Sequence, residues 1–112
     1  MTLTEIYAVA RDIDKQINRV PQSHPSKRHL DAWSSAELSN PEEANSALDH
    51  AQAALQSCVE PDEPSHVAGT LAMAAWLVTN GAIERESEQG DMFLEAAKQS
   101  IESVTPPTRY AW

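Results

Sequence analysis

Apolar residues recur every three or four positions through the first twenty residues, which is the spacing of one helix face. They are Leu3, Ile6, Ala10, Ile13, Ile17 and Val20. This spacing predicts an amphipathic helix over about 3–20. Thr2 and Glu5 fit a capping box at its start. Pro21 follows the last apolar position and ends the predicted helix, because proline lacks the N–H that a continuing helix needs.

A second helix is predicted over about 41–59. Asn40 is a favourable N-cap, Pro41 suits the first helical position, and Glu42 and Glu43 place negative charge where the helix dipole favours it. Its apolar positions repeat the same spacing with small side chains, and they are Ala44, Ala47, Leu48, Ala51, Ala54, Leu55 and Cys58. Such small residues let a neighbouring helix approach closely.

The stretch 67–78, VAGTLAMAAWLV, is apolar on every side. A helix with that pattern must be surrounded by protein, so it predicts a central helix over about 65–80. A short turn at 60–64 makes this helix an antiparallel neighbour of the alanine-rich one. Ala68 and Ala72 are predicted to pack against the alanine-rich helix, and Met73 and Trp76 to face other helices. Asn80 and Gly81 predict the C-terminus, with Gly81 left-handed.

Two further segments complete the predicted architecture. Leu94, Ala97, Ile101 and Val104 predict a helix over about 91–104, and the prolines after it predict an extended tail over 105–112. For the polar stretch 21–40, a short helix near 26–38 stays open as an alternative. Such a helix would turn Leu30 and Trp33 toward the core. The predicted fold is therefore all-α: one domain, a small antiparallel bundle of four main helices.

Composition predicts that the core is thin. Only 20 of the 112 residues are Leu, Ile, Val or Phe, whereas 17 are alanine. Alanine is the best helix former but buries little area. A small domain with such a core gains stability from burial at an interface, which favours a homodimer as a hypothesis.

The net charge of −9 is unevenly distributed. Between positions 29 and 84 there are nine acidic residues and no lysine or arginine. This segment is either a negative surface for a basic partner or a solubilising surface, and both interpretations stay open. The candidate partner-binding carboxylates are Glu42, Glu43, Asp62 and Glu63. Direct binding of nucleic acid is not expected, because that affinity comes from neutralising phosphates.

Basic and aromatic residues supply the other candidate contacts. Arg11, Lys15 and Arg19 form a stripe at helical spacing, and His24, Lys27, Arg28 and His29 follow closely. Together these residues form a predicted basic patch. Three interpretations stay open: the stripe is an ordinary solvated face, it binds an acidic group, or it contacts the acidic segment of a second copy of the chain. Tyr110 and Trp112, in the tail, either cover the core or anchor a partner.

No catalytic or cofactor pattern is found. The four histidines and Cys58 match no zinc spacing, and the one E-x-x-H, Glu63 with His66, lacks the second pair of a di-iron bundle. No signal peptide is evident, and the apolar run is shorter than a membrane span, so we expect a cytoplasmic protein that does not bind membranes.

These patterns predict a non-enzymatic acidic module that binds the surface of another protein. Its class would be regulator, adaptor or inhibitor, by analogy with accessory proteins of phages and mobile elements. The alternative is a helical module that binds a small ligand or metal inside the bundle, beside Trp76 and Met73.

Overall fold

The computed structural model describes residues 2–104, and every regular element in that range is an α-helix. The elements are α1 (Leu3–Ile17), α2 (Lys27–Ser34), α3 (Pro41–Gln56), α4 (Glu63–Ile83) and α5 (Glu88–Glu102). The all-α bundle is confirmed, but it contains five helices rather than four main ones. The predicted tail, 105–112, lies outside the described residues.

Helix α1 begins where its capping box predicts. The backbone N–H of Glu5 donates to Thr2 Oγ1 over 3.2 Å, and the Thr2 N–H donates to Glu5 Oε1 over 3.0 Å. The regular helix ends at Ile17, three residues before the predicted end. Residues 18–20 continue as tighter turns, in which the Val20 N–H donates to the Ile17 carbonyl at 3.0 Å.

Helix α2 is a full member of the core, not an optional addition to it. Leu30 is completely buried and Trp33 is only 2% exposed. The indole Nε1–H of Trp33 donates to Thr79 Oγ1 over 2.8 Å, and the Thr79 hydroxyl donates to the Ala75 carbonyl over 2.6 Å. This chain of bonds ties α2 to the central helix and satisfies polar atoms that burial would otherwise leave unpaired.

Lys27 is buried, which corrects its place in the predicted basic patch. The residue is 4% exposed, and its Nζ donates to the carbonyl of Ile17 over 3.0 Å. Nζ also lies 3.7 Å from a carboxylate oxygen of Asp31. A positive charge at the C-terminal end of α1 is favourable, because the helix dipole is negative there. Lys27 therefore stabilises a helix end and is not available to a ligand.

Alanine forms the buried side of α3. Asn40 caps this helix as predicted, since its Oδ1 accepts from the N–H groups of Glu42 and Glu43 at 2.9 and 3.3 Å. The buried residues are Ala44, Ala47, Ala51 and Ala54. The side chains of Leu48, Leu55 and Cys58, in the same predicted stripe, are half-buried. Helix α3 packs extensively on α4, and its small buried side chains bring the two backbones close together.

Helix α4 is the centre of the bundle, as its apolar pattern predicts. It contacts each of the other four helices. Eleven of its 21 residues are buried, including Ala68 and Ala72. By length and composition alone it could cross a membrane, but 56% of its apolar 18-residue segment is buried inside the bundle. A buried core helix can be equally long and apolar, so the packing of α4 explains its length.

The predicted end of α4 at Gly81 is wrong. The helix continues to Ile83, and Gly81 has no positive φ. A Cβ at Gly81 would lie 3.4 Å from the carbonyl oxygen of Gly90 in α5. Glycine therefore serves a close approach between α4 and α5 rather than a left-handed cap. A four-residue turn follows, and α5 begins three residues earlier than predicted, at Glu88.

One side of α4 reaches the surface, so the prediction that the helix is fully surrounded is also corrected. Met73 and Ile83 are each 38% exposed. Trp76 is half-buried and packs edge-on against Phe93, with ring centres 6.1 Å apart and ring planes at 81°. The space beside Met73 is a surface groove of about 380 Å³.

Candidate functional site

The acidic segment forms an exposed surface. Of the nine acidic side chains between positions 29 and 84, eight are exposed, and they are Asp31, Glu37, Glu42, Glu43, Asp49, Glu60, Asp62 and Glu63. The ninth, Glu84, is half-buried. Within residues 2–104, Asp31 is the one acidic residue of this segment that forms an ion pair with a lysine or arginine, and its partner is Lys27. The other exposed carboxylates of the segment pair with no lysine or arginine among the described residues, so their charge faces solvent.

The four predicted partner-binding carboxylates belong to two separate groups. Glu42 and Glu43 lie at the start of α3 with Glu37 just before them, and we call these three residues the α3-start cluster. Asp62 and Glu63 lie at the start of α4 and share a surface groove of about 530 Å³ with Glu60. We call this trio the α4-start cluster. The 16 residues of α3 span about 24 Å, so the clusters lie near opposite ends of that helix.

Glu37 is the best-fixed carboxylate of the α3-start cluster. Its Oε1 accepts hydrogen bonds from the hydroxyl of Tyr7 and from Ser39 Oγ, the latter at 3.0 Å. Its backbone N–H donates to Glu43 Oε1 over 3.2 Å. The bond from Tyr7, with smaller contributions from Ser39, holds the pKa of Glu37 below its ordinary value. Glu37 therefore keeps its negative charge to a lower pH than an ordinary glutamate does.

Replacing Tyr7 with phenylalanine is expected to raise the pKa of Glu37. A carboxyl group with a lowered pKa in the folded state stabilises the fold above the ordinary carboxyl pKa of about 4.3. That contribution is lost as the pH falls through the folded-state value. The wild type should therefore lose more stability on acidification than Y7F. Carboxyl NMR titration and unfolding at several pH values measure both effects.

Ser39→Ala provides the comparison for Y7F, because Ser39 makes the smaller contribution to the Glu37 pKa. It should raise that pKa by less than Y7F does. An identical Glu37 pKa in Y7F and the wild type would show that the Tyr7 hydrogen bond does not stabilise the carboxylate.

Asp62 anchors the α4-start cluster as an N-cap. Its Oδ1 accepts from the Ser65 N–H over 2.8 Å. Hydrogen bonds from the Ser65 backbone and then its side chain hold the pKa of Asp62 below its ordinary value. Glu63 follows in the first turn, where the helix dipole favours negative charge. Both carboxylates are exposed, so the α4-start cluster is accessible to a partner.

A polar chain behind the α4-start cluster was missed from the sequence. His24 Nδ1 lies 2.7 Å from Ser26 Oγ, and His24 Nε2 lies 2.9 Å from Ser65 Oγ. Ser26 is completely buried and Ser65 is 4% exposed. This arrangement removes His24 from the predicted basic patch. Ser65 follows His24 by 41 positions, and no local pattern reports a contact over that separation.

The hydrogen bonding of His24 does not activate Ser65 as a nucleophile. The backbone N–H of Ser26 donates to Nδ1 over 3.2 Å, which makes Nδ1 an acceptor and places the ring hydrogen on Nε2. Nε2 then donates to Ser65, whereas a general base must accept the hydroxyl proton. The chain instead fixes the loop before α2 against the start of α4, and so positions Asp62.

Cys58 does not act as a nucleophile in this arrangement either. The thiol is half-buried and donates to the Ala54 carbonyl over 3.3 Å. Burial raises the pKa of the Cys58 thiol. A protonated thiol is a poor nucleophile.

The predicted basic stripe is divided among different tasks. Arg11 and Lys15 are exposed on α1. Arg19 Nη1 donates to Gln16 Oε1 over 2.8 Å and also to the Val104 carbonyl, which joins the ends of α1 and α5. Lys15 lines a groove of about 600 Å³ between α1 and α5 together with side chains of both signs, including Glu5. Within the described part of the chain Lys27 is buried, so not every member of the predicted basic patch faces solvent. Tyr110 and Trp112 lie outside the described residues.

The two acidic clusters offer exposed negative charge, and hydrogen bonds hold Glu37 and Asp62 in place. His24 and Cys58, which lie near Asp62, form hydrogen bonds within the fold. Such a surface can attract a cationic surface and orient it. No protein-family model, curated protein or solved structure matches the chain.

Proposed function

We propose that the protein is a non-enzymatic interaction module that binds a basic surface of a partner protein through its exposed carboxylates. It would act as a regulator, adaptor or inhibitor by occupying that surface. The observation that carries the proposal is the exposure of the acidic segment. Among the described residues, Asp31 is the one acidic residue of this segment that pairs with a lysine or arginine. Charge that is not compensated within the fold is available to a partner.

Electrostatic range favours two contact regions over one. The Debye length is about 8 Å at physiological ionic strength, which is shorter than the separation of the α3-start and α4-start clusters along α3. Each cluster therefore attracts positive charge independently of the other. A partner that matches both would be oriented as well as attracted, because electrostatic complementarity fixes register and accelerates encounter.

Rigidity of the carboxylates also supports binding. Association is costly when long side chains must be ordered at the interface, at roughly 0.5–1.5 kcal/mol for each one. Glu37 is already held by Tyr7 and Ser39, and Asp62 is held by the first turn of α4. These two carboxylates have little freedom to lose when a partner binds.

A second copy of the chain is the other partner that the charges allow. Arg11 and Lys15 are exposed on α1, so they can meet an acidic cluster of another molecule. The homodimer stays a prediction, and the mass of the purified protein in solution at low and high salt tests it.

Capture from an extract of the native host tests the proposal. The wild-type protein and a variant with E42Q, E43Q, D62N and E63Q serve as baits at low and high salt, and mass spectrometry identifies captured proteins. Asparagine at position 62 keeps an N-cap, so the variant should fold. We expect the wild type to capture a partner at low salt, and to lose it at high salt or in the variant.

The matched control removes four charges elsewhere. The substitutions E86Q, E88Q, E95Q and E102Q neutralise exposed glutamates of α5 and the turn before it. This control should capture the same partner as the wild type. Two results would contradict a specific role for the acidic clusters. One is that the cluster variant captures the partner as well as the wild type does, and the other is that both variants lose the partner to the same extent.

A further inference from the structure

Two histidines that the acidic surface does not use face each other across α2 and α3. The imidazole rings of His29 and His50 have centres 5.8 Å apart, with their planes tilted by 34°. Both side chains are half-buried. They come from helices that pack directly on each other, so the pair spans the contact between α2 and α3.

The separation suits a single bridging metal ion. An ion held about 2.1 Å from one nitrogen of each ring lies about 3.2 Å from each ring centre. The ring centres are then about 5.2 Å apart at the tetrahedral angle and about 6.4 Å apart when the two nitrogens lie on opposite sides of the ion. The observed separation of 5.8 Å falls between these values. Rotation of each ring about its Cβ–Cγ bond is soft, because this terminal torsion has a broad energy well. Small ring rotations therefore suffice to direct a nitrogen from each ring toward one ion.

The rings also have the right chemical character. Burial, with smaller contributions from Arg28 and His50, lowers the pKa of His29. A neutral imidazole has a free nitrogen lone pair, and imidazole is a preferred ligand of Zn²⁺, Cu²⁺ and Ni²⁺.

We propose that His29 and His50 form a two-histidine binding site for a divalent transition-metal ion of the Zn²⁺, Cu²⁺ and Ni²⁺ class. Among the described residues, no group of three or more His, Cys, Asp or Glu side chains is placed to hold a metal ion. Water therefore completes the coordination, and the ion is exchangeable. A bound ion links α2 to α3 and stabilises the fold, since it binds the native state in preference to the unfolded chain.

Histidine NMR with added zinc tests this site. Ring ¹H–¹⁵N spectra of the full chain are recorded during titration with ZnCl₂, and the four histidines are assigned by single substitutions. We expect the ring signals of His29 and His50 to shift together at the first equivalent, while those of His24 and His66 stay in place. Shifts that are confined to His66, or equal at all four histidines, would overturn the proposal.

Single substitutions measure the contribution of each ligand. Removing one of two joined ligands should weaken zinc affinity about 100-fold, because the second contact is then no longer intramolecular. H29A and H50A should show this loss, and H66A, which removes an exposed histidine of α4, should bind as the wild type does. H29Q and H50Q repeat the test with side chains of more similar size. Thermal unfolding without metal verifies that each variant folds. Unchanged zinc affinity in a folded H50Q or H29Q variant would overturn the proposal.

Discussion

Replacing Trp33 with alanine is expected to lower the free energy of unfolding by about 3–5 kcal/mol. Trp33 is 2% exposed and lies between α2 and the central helix. The core contains few large side chains, so the residues around Trp33 can fill little of the cavity that the substitution leaves. Denaturant unfolding followed by far-UV circular dichroism measures the loss without relying on tryptophan fluorescence.

Thr79→Val separates the hydrogen bond from the packing at Trp33. This substitution keeps the shape of residue 79 but removes the acceptor for the Trp33 indole N–H, at 2.8 Å in the wild type. An unsatisfied buried donor costs about 1–3 kcal/mol. T79V should therefore be destabilised by less than W33A. A loss near zero in T79V would mean that the bond does not hold α2 against α4.

Replacing Ala51 with leucine is expected to lower the free energy of unfolding by about 1–3 kcal/mol, the usual cost of overpacking. Ala51 is completely buried, and all the buried residues of α3 are alanines. Three added carbon atoms must push α3 away from its neighbours or force side chains out of their preferred rotamers. Denaturant unfolding of the variant measures the cost.

Gln52→Leu is the matched control for A51L. It places the same leucine one residue further along α3, at an exposed position. Surface substitutions of this kind usually change stability by less than about 0.5 kcal/mol. Equal stability of the two variants would show that the alanine side of α3 is not closely packed.

Features set by neighbouring residues were predictable from the sequence. The capping box of Thr2 and Glu5, and the Asn40 cap before Pro41, depend on residues within one helical turn. The apolar pattern of 67–78 also identified the central helix. Exposure of the four candidate carboxylates follows from charge alone, because an unpaired charge is costly to bury.

Features that depend on distant residues were not predictable. Gly81 looked like a helix stop, and only its contact with α5 explains a glycine inside α4. Lys27 looked like an exposed base, but the end of α1 provides a buried acceptor for it. Such pairings leave no local signal, whatever the strength of the contact.

The same limit applies to the candidate site. The sequence places Glu42, Glu43, Asp62 and Glu63 in one acidic segment, whereas α3 separates them into two clusters. The bond from Tyr7 to Glu37 spans 30 positions, and the pairing of His29 with His50 depends on how α2 and α3 pack. Charge was therefore visible in the sequence, but its grouping required the fold.

Binding through the acidic clusters is tested most directly by the salt dependence of partner binding in solution. The dissociation constant of the captured partner is measured over a range of ionic strength for the wild type and for the variant that neutralises Glu42, Glu43, Asp62 and Glu63. We expect wild-type binding to weaken as salt rises, and the variant to bind weakly with little salt dependence. Equal dissociation constants for the two proteins at every ionic strength would contradict binding through the acidic clusters.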